Sequence, residues 1–171
     1  MTIKEYMMIR NLYKMHEGDD KKIVNSLLEI NKELKLKDAN EIVLNYLQDL
    51  NDSPNNLVQK FIDGGIEFGL IPDFEEIKTK EYLDIDKYEA DEDNIHRLMA
   101  VLYRPVVKSR GDKYDIEEYN GTSAYCDKML HVDVSIYHSV IAFFLTLNQV
   151  LLRDIQTSIL KKNRKRLKKS N

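Results

Sequence analysis

The chain has 171 residues, 32% charged and 43% apolar, with a formal net charge of −3. That is enough for one domain with a real core, and the balance is that of a globular protein, not a disordered or fibrous one. A single cysteine, Cys126, excludes an internal disulfide framework and fits a reducing compartment, while three prolines and six glycines leave no room for a long flexible linker.

The opening residues, Met1 to Arg10, lack the apolar stretch and small-residue cleavage site of a signal peptide, so synthesis in a cytoplasm is expected. Thr2-Ile-Lys-Glu5 has the capping-box spacing and opens a first helix with Ile3, Tyr6, Met7, Arg10 and Tyr13 on one face; Gly18 is placed to end it. A second helix is expected from Asp20 to about Lys35, its face made of Ile23, Val24, Leu27, Leu28, Ile30 and Leu34. Asp38-Ala-Asn-Glu41 opens a third, where Ile42, Val43, Tyr46, Leu47 and Leu50 keep the period. Residues 1–50 thus form a three-helix segment, and Asn51 to Asn56 is a loop by composition.

Lys60 to Gly69 reads as a β-hairpin turning at Asp63-Gly64-Gly65, because glycine admits the positive φ angles of tight hairpin turns. Thr79 to about Tyr88 reads as a short helix. Asp91-Glu-Asp93 caps a clearer one with Ile95, Leu98, Met99 and Leu102 at helical spacing, stopped by Pro105. Val106 to Asn120 is expected to be irregular, with a turn at Gly111-Asp112 and an extended piece from Tyr114 to Tyr119; Ser123 begins a short helix reaching about His131.

Last comes a long amphipathic helix, Val134 to Leu160, with Asp133 at its N-cap. It carries the least polar run of the chain, Val140-Ile-Ala-Phe-Phe-Leu145, and an apolar stripe through Tyr137, Ile141, Phe144, Leu151, Ile155 and Ile159. His138, Ser139, Thr146, Asn148 and Gln149 make it a core helix in this reading, not a membrane span. The expected fold is mainly α: a helical domain organised on this one long C-terminal helix, with a small β-hairpin. Residues 57–160 form the hairpin and helical core, and 161–171 a basic tail.

That tail holds Lys161, Lys162, Arg164, Lys165, Arg166, Lys168 and Lys169, and no acid follows Asp154. The body before it therefore carries 19 basic against 29 acidic residues, the one strong charge asymmetry of the chain. These cations suit an anionic partner, whether nucleic acid or an acidic protein surface, although no aromatic interleaves them to stack on bases.

Motifs for chemistry are scarce. Cys126, His131 and His138 match no zinc-module spacing, and the acidic run Asp84, Asp86, Glu89, Asp91, Glu92 and Asp93 lacks the central glycine of an EF-hand loop. Neither a nucleophile elbow, a phosphate-binding GxxxxGK[ST] loop nor an HExxH pair is present. No catalytic residue, metal ligand or cofactor is assigned, and the chain reads as non-enzymatic.

A succession of short motifs carries a resemblance. The hairpin with Gly64-Gly65 is followed by Ile77-Lys-Thr-Lys-Glu-Tyr-Leu-Asp-Ile85 and by His96-Arg-Leu-Met-Ala-Val-Leu-Tyr-Arg-Pro105. Then come Tyr114 to Thr122, Met129 to Val134, and Ala142-Phe-Phe-Leu145. From Phe61 to Leu152 the chain resembles small morphogenesis proteins of tailed bacteriophages, in particular the tail assembly chaperones encoded near tape-measure proteins. The resemblance implies a protein of the host cytoplasm that covers apolar faces of a helical tape-measure protein during assembly. It would need an accessible apolar groove, expected at Leu98, Met99, Leu102 and Tyr103, since methionine and tyrosine make adaptable contact surface. The alternatives are a structural virion component, such as a neck or tail ring subunit whose acidic body and basic tail pair between copies, and a small DNA-binding regulator using the tail.

Overall fold

The Thr2 hydroxyl accepts the Glu5 amide proton at 3.3 Å, and the Glu5 carboxylate accepts the Thr2 N–H at 2.8 Å. This reciprocal cap satisfies two orphan donors and starts α1 (Ile3–Met15) where its spacing places it. The computed structural model describes residues 1–51, 56–111 and 113–146. The core of the expected 51–56 loop, Asp112 of the expected turn, residues 147–160 of the expected long helix, and the basic tail lie outside the described residues.

Asp19 caps α2 (Asp20–Ile30) by accepting the amide protons of Lys21 and Lys22 at 3.1 and 3.2 Å. This helix ends five residues before Lys35, because Asn31 leaves helical geometry and its side chain takes the Glu33 amide proton into a turn. The next helix, α3 (Leu36–Asn51), begins two residues before Asp38, which lies in its first turn.

β1 (Lys60–Asp63) and β2 (Ile66–Leu70) form the expected hairpin, with Gly64 at φ 53° and Gly65 at φ 78°, the doubly left-handed turn that matches strand twist. α4 (Thr79–Glu89) follows. Asp91 then accepts the Asp93 amide proton at 3.0 Å and opens a single 3₁₀ turn, Glu92–Asn94, that runs into α5 (Ile95–Leu102).

From here the fold departs from the mainly α expectation. β3 (Tyr103–Arg110) starts directly after α5, and β4 (Lys113–Ile116) returns beside it. The result is a four-stranded antiparallel sheet in the order β1-β2-β3-β4, more than a small hairpin. Pro105 does not end the ordered structure but sits inside β3, opposite Phe68. Its carbonyl accepts the Glu117 amide proton at 2.8 Å. In an antiparallel strand the nitrogen and oxygen of one residue face the same neighbour, so the missing N–H faces chain beyond the end of β4 and removes no bond to β2. The ladder slips between Val106 and Lys108, which leaves Val107 63% exposed.

Organisation on one long C-terminal helix is likewise overturned. After the short α6 (Cys126–Met129), the C-terminal helix α7 is described over 134–146, with Asp133 accepting the Ser135 amide proton at 2.9 Å. The centre is α5. Ile95 and every residue from Leu98 to Leu102 are buried, because α1, α4, α6 and β3 cover the helix on all sides. Phe68, Leu70 and Tyr103 project from the inner face of the sheet onto this core, and the Tyr103 hydroxyl donates to the Val58 carbonyl at 2.5 Å.

The N-terminal helices join the same core. The Ile3 amide donates to Val132 and the Val134 amide to Met1, both at 2.9 Å, tying the start of α1 to the start of α7. Tyr6 packs on Tyr46 of α3 at 5.3 Å and edge-on against His138 of α7 at 5.2 Å. Burial holds the Tyr46 phenol up at about 12. Burial also holds His138 and His96 below the ordinary 6.5; Asp49 and Asp133 oppose it at His138, while at His96 Arg97 reinforces it and Asp127 and Asp91 oppose it.

Gly69 faces Tyr114, whose hydroxyl donates to the Leu70 carbonyl at 2.9 Å, and a Cβ on residue 69 would meet the ring at 2.5 Å. Gly69→Ala is expected to cost about 1–3 kcal/mol in urea unfolding, with less added cost in a Tyr114→Ala background, where only the 3.0 Å approach to Val106 Cγ2 remains. The histidines set a pH dependence. The fold keeps them neutral while the unfolded chain takes up protons below about 6.5, so stability is complete above that value and falls as pH drops through it. The urea midpoint should be lower at pH 5.5 than at 7.5, and His138→Phe should flatten that difference.

Candidate functional site

Leu98, Met99, Leu102 and Tyr103, the expected groove, are 3, 0, 1 and 0% exposed. Their physical setting corrects that assignment: α5 is enclosed by its neighbours, so these side chains form the core and offer no surface. The cations from Lys161 to Lys169 lie outside the described residues. Cys126 is buried on α6, His131 is exposed, and His138 packs among tyrosines; among the described residues no group of three His, Cys, Asp or Glu side chains converges to hold a metal. Glu92 and Asp93 of the acidic run hold Arg10 of α1 at 3.3 and 2.5 Å, a clamp that fixes α1 to the 3₁₀ turn.

Besides a shallow hollow of about 380 Å³ beside the Arg10 clamp, two concavities among the described residues bear on function. The first is an apolar groove of about 640 Å³ between α2 and α3. Val24 and Val43 form its buried floor and Leu47 is half-buried, while Leu36 and Leu44 stand at its mouth, 59 and 58% exposed. Its polar lining is Asp20, Lys21, Asn25 and Asn40, nearly neutral in sum. The groove exists because the α3 stripe is wider than the partner helix that covers it. Ile42, Val43 and Tyr46 turn inward, and Leu36 and Leu44 flank them eight residues apart. That spacing was readable in the sequence as a broadened stripe, but the inward-facing period drew the core assignment and left these two leucines out.

The second concavity is a polar cleft between the 71–78 loop and β4. One part of about 230 Å³ lies over Arg104 and Glu81, and an adjoining part of about 690 Å³ reaches Phe74 and Phe143. Tyr103 turns into the core, so Arg104, the next residue of β3, projects to the opposite face. There its guanidinium binds the Glu81 carboxylate of α4, both side chains being buried. The other Glu81 oxygen accepts the Lys78 amide proton at 2.8 Å as part of the helix start, and Lys78 Nζ reaches Glu118 at 3.3 Å. Tyr119 covers the guanidinium at 5.4 Å and donates its hydroxyl to Asp84 at 2.5 Å. Burial and then that carboxylate raise the Tyr119 phenol well above its ordinary range. These groups are engaged with one another, and the Arg104 Nε lacks an acceptor among the described residues.

No protein-family model, no curated protein and no solved structure matches this chain. No helix among the described residues is long and apolar enough to cross a membrane.

The buried pair gives a sharp energetic test. Glu81→Ala strands the Arg104 charge in the protein interior and should cost on the order of 3–5 kcal/mol, whereas the double variant Glu81→Leu, Arg104→Met should recover most of it. Urea midpoints of the single and double variants decide; equal destabilisation in both would contradict the assignment.

Proposed function

We propose that the protein is a non-enzymatic assembly factor of a tailed bacteriophage, which binds an amphipathic helical segment of a tail or virion protein in the groove between α2 and α3. The observation carrying this reading is the exposed leucine pair, Leu36 and Leu44, at the mouth of a groove floored by Val24 and Val43. A helix laid there covers both leucines, and apolar anchors in a groove are the usual means of holding an amphipathic helix. The nearly neutral polar lining suits a partner chosen by its apolar stripe instead of its charge. A long helical protein of the tape-measure type presents such stripes along its length until tube subunits cover them. The mutual engagement of Arg104, Glu81, Lys78 and Tyr119 supports binding over bond-making as the role of the molecule. The work is then done in the host cytoplasm during assembly, and the protein leaves before the particle is complete.

Co-expression with the tape-measure protein of the same phage tests this. The two should co-purify as a soluble complex, and Leu36→Glu with Leu44→Glu should weaken binding by about 100-fold or more, given about 1.5–3 kcal/mol for each buried leucine. Both side chains are exposed in the free chain, so its urea midpoint should not fall. Unchanged binding in the variant contradicts the groove assignment, and a stoichiometric band in purified particles contradicts the assembly role in favour of a structural one.

A further inference from the structure

The polar cleft carries an unbalanced charge. Asp73, Glu76, Asp115 and Glu117 on its rim are exposed and form no ion pair with any described residue; against these four acids stands one such cation, Lys113, while Lys78 and Arg104 are already paired. Beneath the rim lie Ile71, Pro72, Phe74 and Phe143. At the floor, Arg104 is 7% exposed and its Nε has no acceptor among the described residues.

An occupant must therefore bring cations for the rim, aliphatic surface for the walls and a hydrogen-bond acceptor for Arg104. A nucleotide or other polyanion meets like charge at the rim. A metal ion or polyamine brings no acceptor. A lysine- and arginine-rich peptide brings all three: charged heads, long methylene stems and main-chain carbonyls.

This chain contains such a segment, Lys161–Lys169, with seven cations and no acid after Asp154. It also leaves the described residues beside the cleft. Phe143 of α7 lines the cleft and Phe144 packs edge-on against Phe74 at 5.3 Å, three and two residues before Thr146, where the description ends. The stretch from Thr146 to Lys161 spans on the order of 20 Å even if wound as a helix and about 50 Å if extended, so the segment can reach back. A tether of that length holds it near the cleft at an effective concentration in the millimolar range, which favours it over a second copy at ordinary protein concentrations.

We propose that the cleft between the 71–78 loop and β4 is the docking site of the chain's own basic segment, Lys161–Lys169, bound in cis. The acidic rim and the tail neutralise each other, and an anionic partner must displace the tail from this cleft before engaging it. The proposal is independent of the helix-binding reading, since no residue of α2 or α3 lines the cleft.

The test places a photo-crosslinking amino acid at Leu167 of the full chain. Cross-links should form within single chains and map to residues 71–77 or 113–118. Their yield should fall about tenfold in 1 M NaCl, where charges are screened beyond about 3 Å. It should fall similarly in Glu76→Lys, Asp115→Lys, with an unchanged urea midpoint because these side chains are exposed; Asp73 is kept, because its carboxylate accepts the Glu75 amide proton at 2.8 Å and holds the loop. Reversing Glu29, Glu33 and Glu41, exposed acids on α2, its following turn and α3, should leave the yield unchanged. Cross-links to other surfaces, no cross-links at all, a yield indifferent to the rim charges, or cleft cross-links found only between two chains would each overturn the proposal. Transfer of the cross-link to added duplex DNA, with none to the cleft beforehand, would do so too.

Discussion

The chain passes from Leu102, the last residue of a buried helix, to Tyr103, the first of a central strand, with no loop between them. Both side chains are almost wholly removed from water, so the helix and the sheet cannot move apart without opening the core. The backbone at this junction stays bonded: the Tyr103 amide donates to Met99, and the Leu102 carbonyl accepts the Ile71 amide proton at 2.9 Å. Around it α1, α4 and α6 take the places needed to cover a helix whose residues from Leu98 to Leu102 are apolar on every side, while His96 and Arg97 of its first turn stay half-buried. Fully burying each of its large side chains is worth about 1.5–3 kcal/mol, more than any surface ion pair in the molecule.

The polar features are placed by that same junction. One residue beyond Tyr103 the strand pleat sends Arg104 to the other face, where Glu81 meets it and fixes α4 against the sheet. Two residues before α5, Asp93 joins Glu92 in gripping Arg10 and fixes α1. Both concavities are then consequences of incomplete cover. The α2–α3 groove remains because two helices cannot close over the full width of the α3 stripe. The polar cleft remains because the 71–78 loop arches over the sheet without filling the space above Arg104.

Sequence signals were strongest where a local interaction alone decides the structure. The Thr2–Glu5 cap, the Gly64-Gly65 turn and the period of α4 and α5 are of this kind, and each element starts within a residue or two of its signal. β3 was hidden because Pro105 argues against a central strand, and the slip near Val107 breaks the alternation that would have announced one. The weight given to the last helix failed for a different reason. Its stripe is long, but burial is set by how many neighbours enclose an element, and the eight residues of α5 are enclosed more completely than residues 134–146, the described part of the last helix. For the same reason Met99 and Tyr103, adaptable contact residues in composition, serve as core. Leu36 and Leu44 were passed over because a helix period identifies an inward face and says little about residues just beside it.

α5 is the closed centre, and the proposed helix-binding surface lies on α2 and α3. Hydrogen exchange of the chain, free and in complex with a helical tape-measure segment, tests both halves at once. Amides from Leu98 to Tyr103 should already exchange only through global unfolding in the free chain, at the slow limit for the molecule. Binding should add protection around Val24 and from Leu36 to Leu47. Fast exchange in α5 of the free chain, or protection gained there and not on α3, would contradict the account.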